Sequence, residues 1–255
     1  MQKLILSNFV LTLLIIVYLV IQVVHPQFWR HSSQLISSQV AVVEDYIISH
    51  PETLIASLEA HHKAQVEMMT KRAQDKIVER SAEIFNNAAD PRVGNPQGKI
   101  KIVEFFDYSC GYCQKMLAVK RKILESNKDV QFIMKELPIL SDASATRARA
   151  SLAFYKVAPD KYNQYQEALF KLKGSSDVQK ACIDLAKSLG VNEEAFKAAL
   201  AQPAGQDAIL ESNMRLALDL GLRATPAYII GNEVIMGYTD YEAFNEKIKT
   251  NLAKK

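Results

Sequence analysis

Apolar and polar positions alternate with different periods along this chain, and the changes of period mark its parts. From Leu4 to Val24 the residues are uncharged and apolar on every face of a would-be helix. His31 to Gln39 is a serine-rich polar spacer. The stretch "VAVVEDYIISHPETLIASLEAHHKAQVEMMTKRAQDKIVERSAEIFNNAAD" then reads as helical, broken once at Pro51, with Glu52 in the next first turn where it complements the helix dipole. Val66, Met69, Ala73, Ile77 and Ile84 or Phe85 form a narrow apolar stripe beyond the break, with Glu67 and Lys71 on the charged face. Such a stripe serves as core, as a self-association face, or, with its Met-rich start, as an adaptable binding face.

Turn chemistry follows at Asn86 to Lys99, with Asp-Pro, Gly94, Pro96 and Gly98, and places a domain boundary there. "KIKIVEFF" then predicts a strand, Cys110 to about Glu125 a helix, and "VQFIMKELPIL" a second strand. Strand, helix and strand at this spacing predict a parallel βαβ unit. Residues 141–220 return to helical patterns. "TPAYIIG" and "EVIMGY" predict a hairpin through Gly231-Asn232, and a helix over Tyr241 to Leu252 closes the chain.

About 20 apolar residues cross a bilayer, so Leu4 to Val24 is long enough to do so. No Ala-x-Ala site follows it, and Trp29 stands where an interfacial aromatic would, which favours a retained anchor over a cleaved signal. Either one implies export. The formal charge of +3 over 255 residues, without a dense Lys/Arg tract, argues against nucleic acid as a partner.

Export changes how the three cysteines are read. "FFDYSCGYCQKM" places Cys110 and Cys113 between strand and helix, with Cys110 at the helix N-terminus. Unpaired N–H groups and the dipole there favour a thiolate, and one helical turn brings the two sulfurs together. Cys110 is expected to be exposed and to attack; Cys113, a turn further in, is expected to resolve the mixed disulfide. Zinc would need a second ligand pair that the chain does not offer at matching spacing, so no metal is expected. A structural bridge over so short a loop would constrain the unfolded chain little. Cys182, between Ala181 and Ile183, reads as a small buried hydrophobe. Pro226 in "ATPAYIIG" follows a long helical stretch. A cis bond there, beside a dithiol, would offer the Thr225 backbone for strand-like pairing with an extended substrate.

From about Asp90 onward these features resemble the DsbA family of thioredoxin-fold thiol–disulfide oxidoreductases: "VEFFDYSCGYC", the second strand, the helical block before "ATPAYIIG", and the closing hairpin and helix. "VEDYIISHPETLIASLE" resembles the oligomerisation region of its ScsC-like branch. The resemblance implies an α/β thioredoxin-like fold at 91–255 with a helical insertion near 141–220. A helical oligomerisation arm at 36–90 and a signal or anchor at 1–30 would precede it. It makes Cys110 the nucleophile, Cys113 its partner, and Gly111 and Tyr112 the dipeptide that sets redox poise. Thr225 and Pro226 match the substrate-facing loop, and Glu104 a buried acid able to relay a proton to Cys113, with Lys135 as its charge partner. Gly-Tyr departs from the family's frequent Pro-His or Pro-Tyr, so a strongly oxidising potential does not follow.

The implied activity is formation or isomerisation of disulfides in exported proteins, without a cofactor. Implied partners are unfolded or misoxidised proteins, a DsbB-like or DsbD-like membrane protein, and a second copy of the chain, a dimer in preference to a trimer. Thr225 and the helical arm lean the reading towards isomerase or dual activity. Copper handling is the alternative, since two thiolates bind Cu(I).

Overall fold

The computed structural model describes residues 2–172 and 176–253, with the side chains of 2–10, 24–38 and 252–253 outside the description. The chain divides into two units, 1–66 and 67–255.

In the first unit, helix α1 (Gln2–Ser49) runs through the serine-rich spacer without interruption. The expected break falls at its end, where Pro51 opens α2 (Pro51–Glu79) with Glu52 in the first turn. Part of the apolar run expected to cross a membrane lies outside the described side chains, as does Trp29. Among the described residues no helix is long and apolar enough to cross one.

The second unit is built on a five-stranded mixed sheet of order β1-β3-β2-β4-β5. β2 (Ile100–Phe106) and β3 (Val130–Glu136) are parallel and joined by α4 (Gly111–Ser126), as the βαβ pattern requires. β4 (Ala227–Ile230) pairs antiparallel with β2 and with β5 (Glu233–Met236). Gly231 turns that hairpin at φ +61 and Asn232 stays at negative φ; one positive φ at the first turn position is the type II′ pattern. The segment read as turns alone holds an unpredicted edge strand, β1 (Arg92–Gly94), antiparallel to β3. Gly94 ends it at φ +100, where an added Cβ would lie 2.6 Å from the Val130 carbonyl.

Between β3 and β4 lie α5 (Asp142–Val157), α6 (Tyr162–Leu169), α7 (Val178–Ser188), α8 (Glu193–Leu200) and α9 (Pro203–Asp219), and α10 (Tyr241–Ala253) ends the described chain. Alternation on the strands divides the core. Ile102, Phe106, Phe132, Met134, Tyr228 and Ile230 join α4, α10 and α5 to α8 on one face. Val103, Phe105, Ile133 and Ile229 pack on the other with Ile77 of α2, Ile84 of α3 (Ser81–Asn86) and Leu216 of α9. The helical stripe is therefore divided: Ile77 and Ile84 are core, whereas Met69 is exposed.

Candidate active site

Asp107 builds the loop that delivers the dithiol. It follows β2, and its buried carboxylate accepts four hydrogen bonds. Oδ1 takes the Ser109 amide at 2.6 Å and the Ser144 hydroxyl at 2.6 Å; Oδ2 takes the Ile139 and Leu140 amides at 2.8 and 2.9 Å. Every lone-pair direction is occupied, and the loop before the cysteines is tied to the loop after β3. The Asp107 carbonyl also accepts the Cys110 amide at 3.0 Å.

Cys110 is the N-cap of α4, and its Sγ accepts the Cys113 amide at 3.3 Å. In the same arrangement the Cys110 thiol donates to the Thr225 carbonyl at 3.2 Å. The Thr225-Pro226 bond is cis, and the Pro226 carbonyl is occupied by the Gly237 amide. The helix N-terminus and the loop before β4 thus meet at one sulfur. The expected exposure of Cys110 is not found: it keeps 7% of its surface, because the Thr225 segment closes over it, while Cys113 keeps none. Both are free thiols. Burial, followed by the neighbouring Cys110, holds the Cys113 thiol well above its ordinary range. Gly111 and Tyr112 are exposed, Tyr112 at 58%, and a side chain at Gly111 would meet nothing within 4 Å.

Glu104 is buried on the same sheet face, where the Tyr228 hydroxyl donates to Oε1 at 3.1 Å. Its charge partner is not Lys135. Lys120 of α4 reaches Oε2 at 3.5 Å, with both side chains buried, and donates to Gln166 of α6 at 2.6 Å. The register explains the correction. Glu104 pairs with Met134, so Lys135 beside it projects to the opposite face. There it donates to Asp90 at 2.5 Å and to the Glu83 carbonyl at 3.1 Å. Burial raises the Asp90 carboxyl above its ordinary value despite that lysine. Sequence reasoning missed Lys120. Its helical spacing from Cys113 was the available signal, since seven residues make about two turns and return a side chain to the same face.

Cys182 is buried in α7, its carbonyl accepting the Tyr165 hydroxyl at 3.0 Å, and burial pushes its thiol up to about 11. Among the described residues no three His, Cys, Asp or Glu side chains group as metal ligands.

Such a fold with such a pair defines a thioredoxin-fold thiol–disulfide oxidoreductase. The chain belongs to the family of the DSBA-like thioredoxin domain, whose profile matches residues 101–249. It is 25% identical over 175 residues to disulfide bond formation protein D of Bacillus subtilis, covering 65% of this chain and 78% of that protein. It is similar in structure to the thiol-disulfide exchange protein alpha-DsbA2 of Wolbachia pipientis, at TM-score 0.66 and 27% identity over 71% of this chain and 96% of the other. The catalytic domain of Proteus mirabilis ScsC matches at TM-score 0.63 and 29% identity over 71% and 98%. A longer form of that protein, crystallised in a transitional conformation, matches at 0.64 and 29% over 84% and 95%.

Proposed function

We propose that this protein is an exported disulfide oxidoreductase and isomerase of folding proteins, with Cys110 as nucleophile and Cys113 as resolving partner. One observation carries the reading: the Cys110 sulfur lies between the Cys113 amide and the Thr225 carbonyl, with Cys113 wholly buried behind it. A partner's sulfur meets Cys110 first.

In the oxidising direction a substrate thiolate attacks Cys110 of the Cys110–Cys113 disulfide, and Cys113 leaves as a thiolate. Because burial makes that thiolate costly, it takes a proton. Glu104, in the same buried face, is the group assigned to carry it. A second substrate thiol gives up its proton and attacks the mixed disulfide, releasing Cys110. The substrate loses two electrons and two protons, and the pair gains them. Isomerisation starts instead from the Cys110 thiolate attacking a wrong substrate disulfide and ends when a substrate thiolate displaces it. Gly111 and Tyr112 tune the poise, and Thr225 and Pro226 hold the extended substrate.

Export rests on the apolar run at Leu4 to Val24 and on the DsbA-family match. The reading places the protein in the periplasm, tethered to the inner membrane by that run. A DsbB-like or DsbD-like membrane protein resets the pair. Self-association, as a dimer in preference to a trimer, is assigned to 36–90. Val42, Ile48, Ile55 and Leu58 there are exposed at 69, 79, 55 and 60%, apolar side chains that a second copy would cover. The longer ScsC match, extending over more of this chain than the catalytic domain does, supports the same assignment.

The test compares the chain without residues 1–30 and without residues 1–66, by mass in solution and by two assays. One follows oxidation of a reduced, unfolded substrate; the other follows reactivation of a scrambled one. Cutting at Val66 leaves Ile77 and Ile84 in the core. Isomerase function predicts that the arm is required for both oligomerisation and unscrambling. If the shorter chain oxidises as well and neither unscrambles, the protein is an oxidase and the arm serves another purpose.

A further inference from the structure

Four buried polar groups behind the redox loop take no part in the exchange chemistry. Glu136 ends β3 with no exposed surface, and its Oε1 lies 3.2 Å from the Tyr108 hydroxyl and 3.5 Å from the Tyr162 hydroxyl. The Tyr108 hydroxyl is 2.7 Å from Ser151 Oγ, which is 3.3 Å from the Tyr162 hydroxyl. These contacts close a ring. Its members come from β3, from the loop two residues ahead of Cys110, from α5, and from α6.

Counting hydrogens decides the state of the ring. Four links need four hydrogens, and Tyr108, Ser151 and Tyr162 bring one each. The fourth has to sit on Glu136. Glu136 then donates to Tyr108, Tyr108 to Ser151, Ser151 to Tyr162, and Tyr162 back to Glu136. An ionised Glu136 would leave one link without a hydrogen and a buried charge whose Oε2 has no protein partner. Its charged surroundings act in the same direction. Burial first, and then Asp107, hold the Glu136 carboxyl well above the usual carboxylate range. Burial and Glu136 raise the Tyr108 and Tyr162 hydroxyls, with Glu104 adding to the effect on Tyr162. Asp107 makes the contrast: its two carboxyl oxygens accept four hydrogen bonds, whereas no protein donor reaches Glu136 Oε2.

We propose that Glu136 is a positioning residue for the redox loop: as the acid it closes a ring that fixes Tyr108, and through it Cys110, against α5 and α6 of the helical insertion. The proposal rests on the thiol-exchange reading for its functional meaning and on the ring alone for its geometry.

Full-length E136Q, E136L, Y108F, S151A and the E136L/Y108F double variant test it. Two readouts are compared: the pH midpoint of Cys110 alkylation and the equilibrium constant of the pair with glutathione. Both ring contacts fall on Oε1, where Gln sets either its amide or its carbonyl but not both, so E136Q loses one link and is expected to shift the equilibrium constant by less than E136L does. E136L and Y108F are expected to shift the equilibrium constant in one direction by about three- to tenfold, the range one hydrogen bond spans. The double variant should go no further than the larger single change, as members of one unit do.

E136Q shifting as far as E136L, or a folded E136L with both readouts unmoved, overturns the proposal. If E136L does not fold, Y108F and S151A decide it in the same way. A wild-type pair that fails to equilibrate with glutathione sinks the exchange reading instead. The ring is then judged by the alkylation midpoint and by carboxyl carbon NMR of Glu136, where titration near the ordinary 4.5 would overturn it.

Discussion

Lys120 and Glu104 form a buried ion pair at 3.5 Å on the sheet face that carries Cys113, while Lys135, one residue along from Glu104's strand partner, pairs with Asp90 on the other face. Two buried lysines therefore have separable jobs. K120M and K135M should each lower stability by about 3–5 kcal/mol, the cost of leaving one partner of a buried pair without the other. Only K120M should also alter the pH profile of mixed-disulfide resolution. Urea unfolding and single-turnover kinetics read the two effects, and equal kinetic effects would contradict the division by face.

The asymmetry between the cysteines predicts distinct failures. Cys110→Ser should reduce exchange to the uncatalysed level. Cys113→Ser should still be attacked or attack at Cys110 and should accumulate a mixed disulfide visible by intact mass. Accumulation in the Cys110→Ser variant instead would reverse the assigned roles.

Protonation of Glu136 makes stability fall with rising pH. The folded state, with its midpoint raised, holds a proton that the unfolded chain gives up near 4.5. Between that value and the folded midpoint the folded state binds more protons, so stability drops by as much as about 1.4 kcal/mol per pH unit. E136Q lacks the group. Its stability relative to wild type should therefore rise as the pH increases above 4.5, measured by denaturant unfolding at several pH values.

Gly94→Ala places a Cβ against the Val130 carbonyl at 2.6 Å and forces φ +100 on a residue with a side chain. A loss of about 1–3 kcal/mol is expected, with the lowered protection concentrated in β1 and the start of β3 by hydrogen exchange. Gly111→Pro is the opposite case. The position is N1 of α4 and open around the missing side chain, so a gain of roughly 0.4–1 kcal/mol is expected in thermal unfolding.

How far the sequence revealed these features depended on how local they are. The cysteine at a helix start, the βαβ unit and the Gly231 hairpin are set by neighbours in the chain, and all were legible. β1 was not, because three residues between Pro91 and Pro96 carry too little pattern to outweigh the turn signals around them, and only β3 completes the strand. The stripe from Val66 to Ile84 showed a face without showing where its cover ends; the sheet covers Ile77 and Ile84 and leaves Met69 to solvent. The partner of Glu104 depended on register, where a shift of one residue exchanges faces. The Glu136 ring joins three elements, from Glu136 to Tyr162, and the loop before α4, a distance over which no periodicity operates.

Gln166 adds a constraint on how such proteins can be recombined. It lies in the inserted helices, yet it accepts from Lys120 of the redox helix at 2.6 Å. The insertion is therefore not a cassette that can be exchanged between relatives while the thioredoxin frame is kept. A graft that omits Gln166 leaves the ammonium of Lys120 short of an acceptor in a dry interior, and the recipient would have to change on both sides of the splice at once.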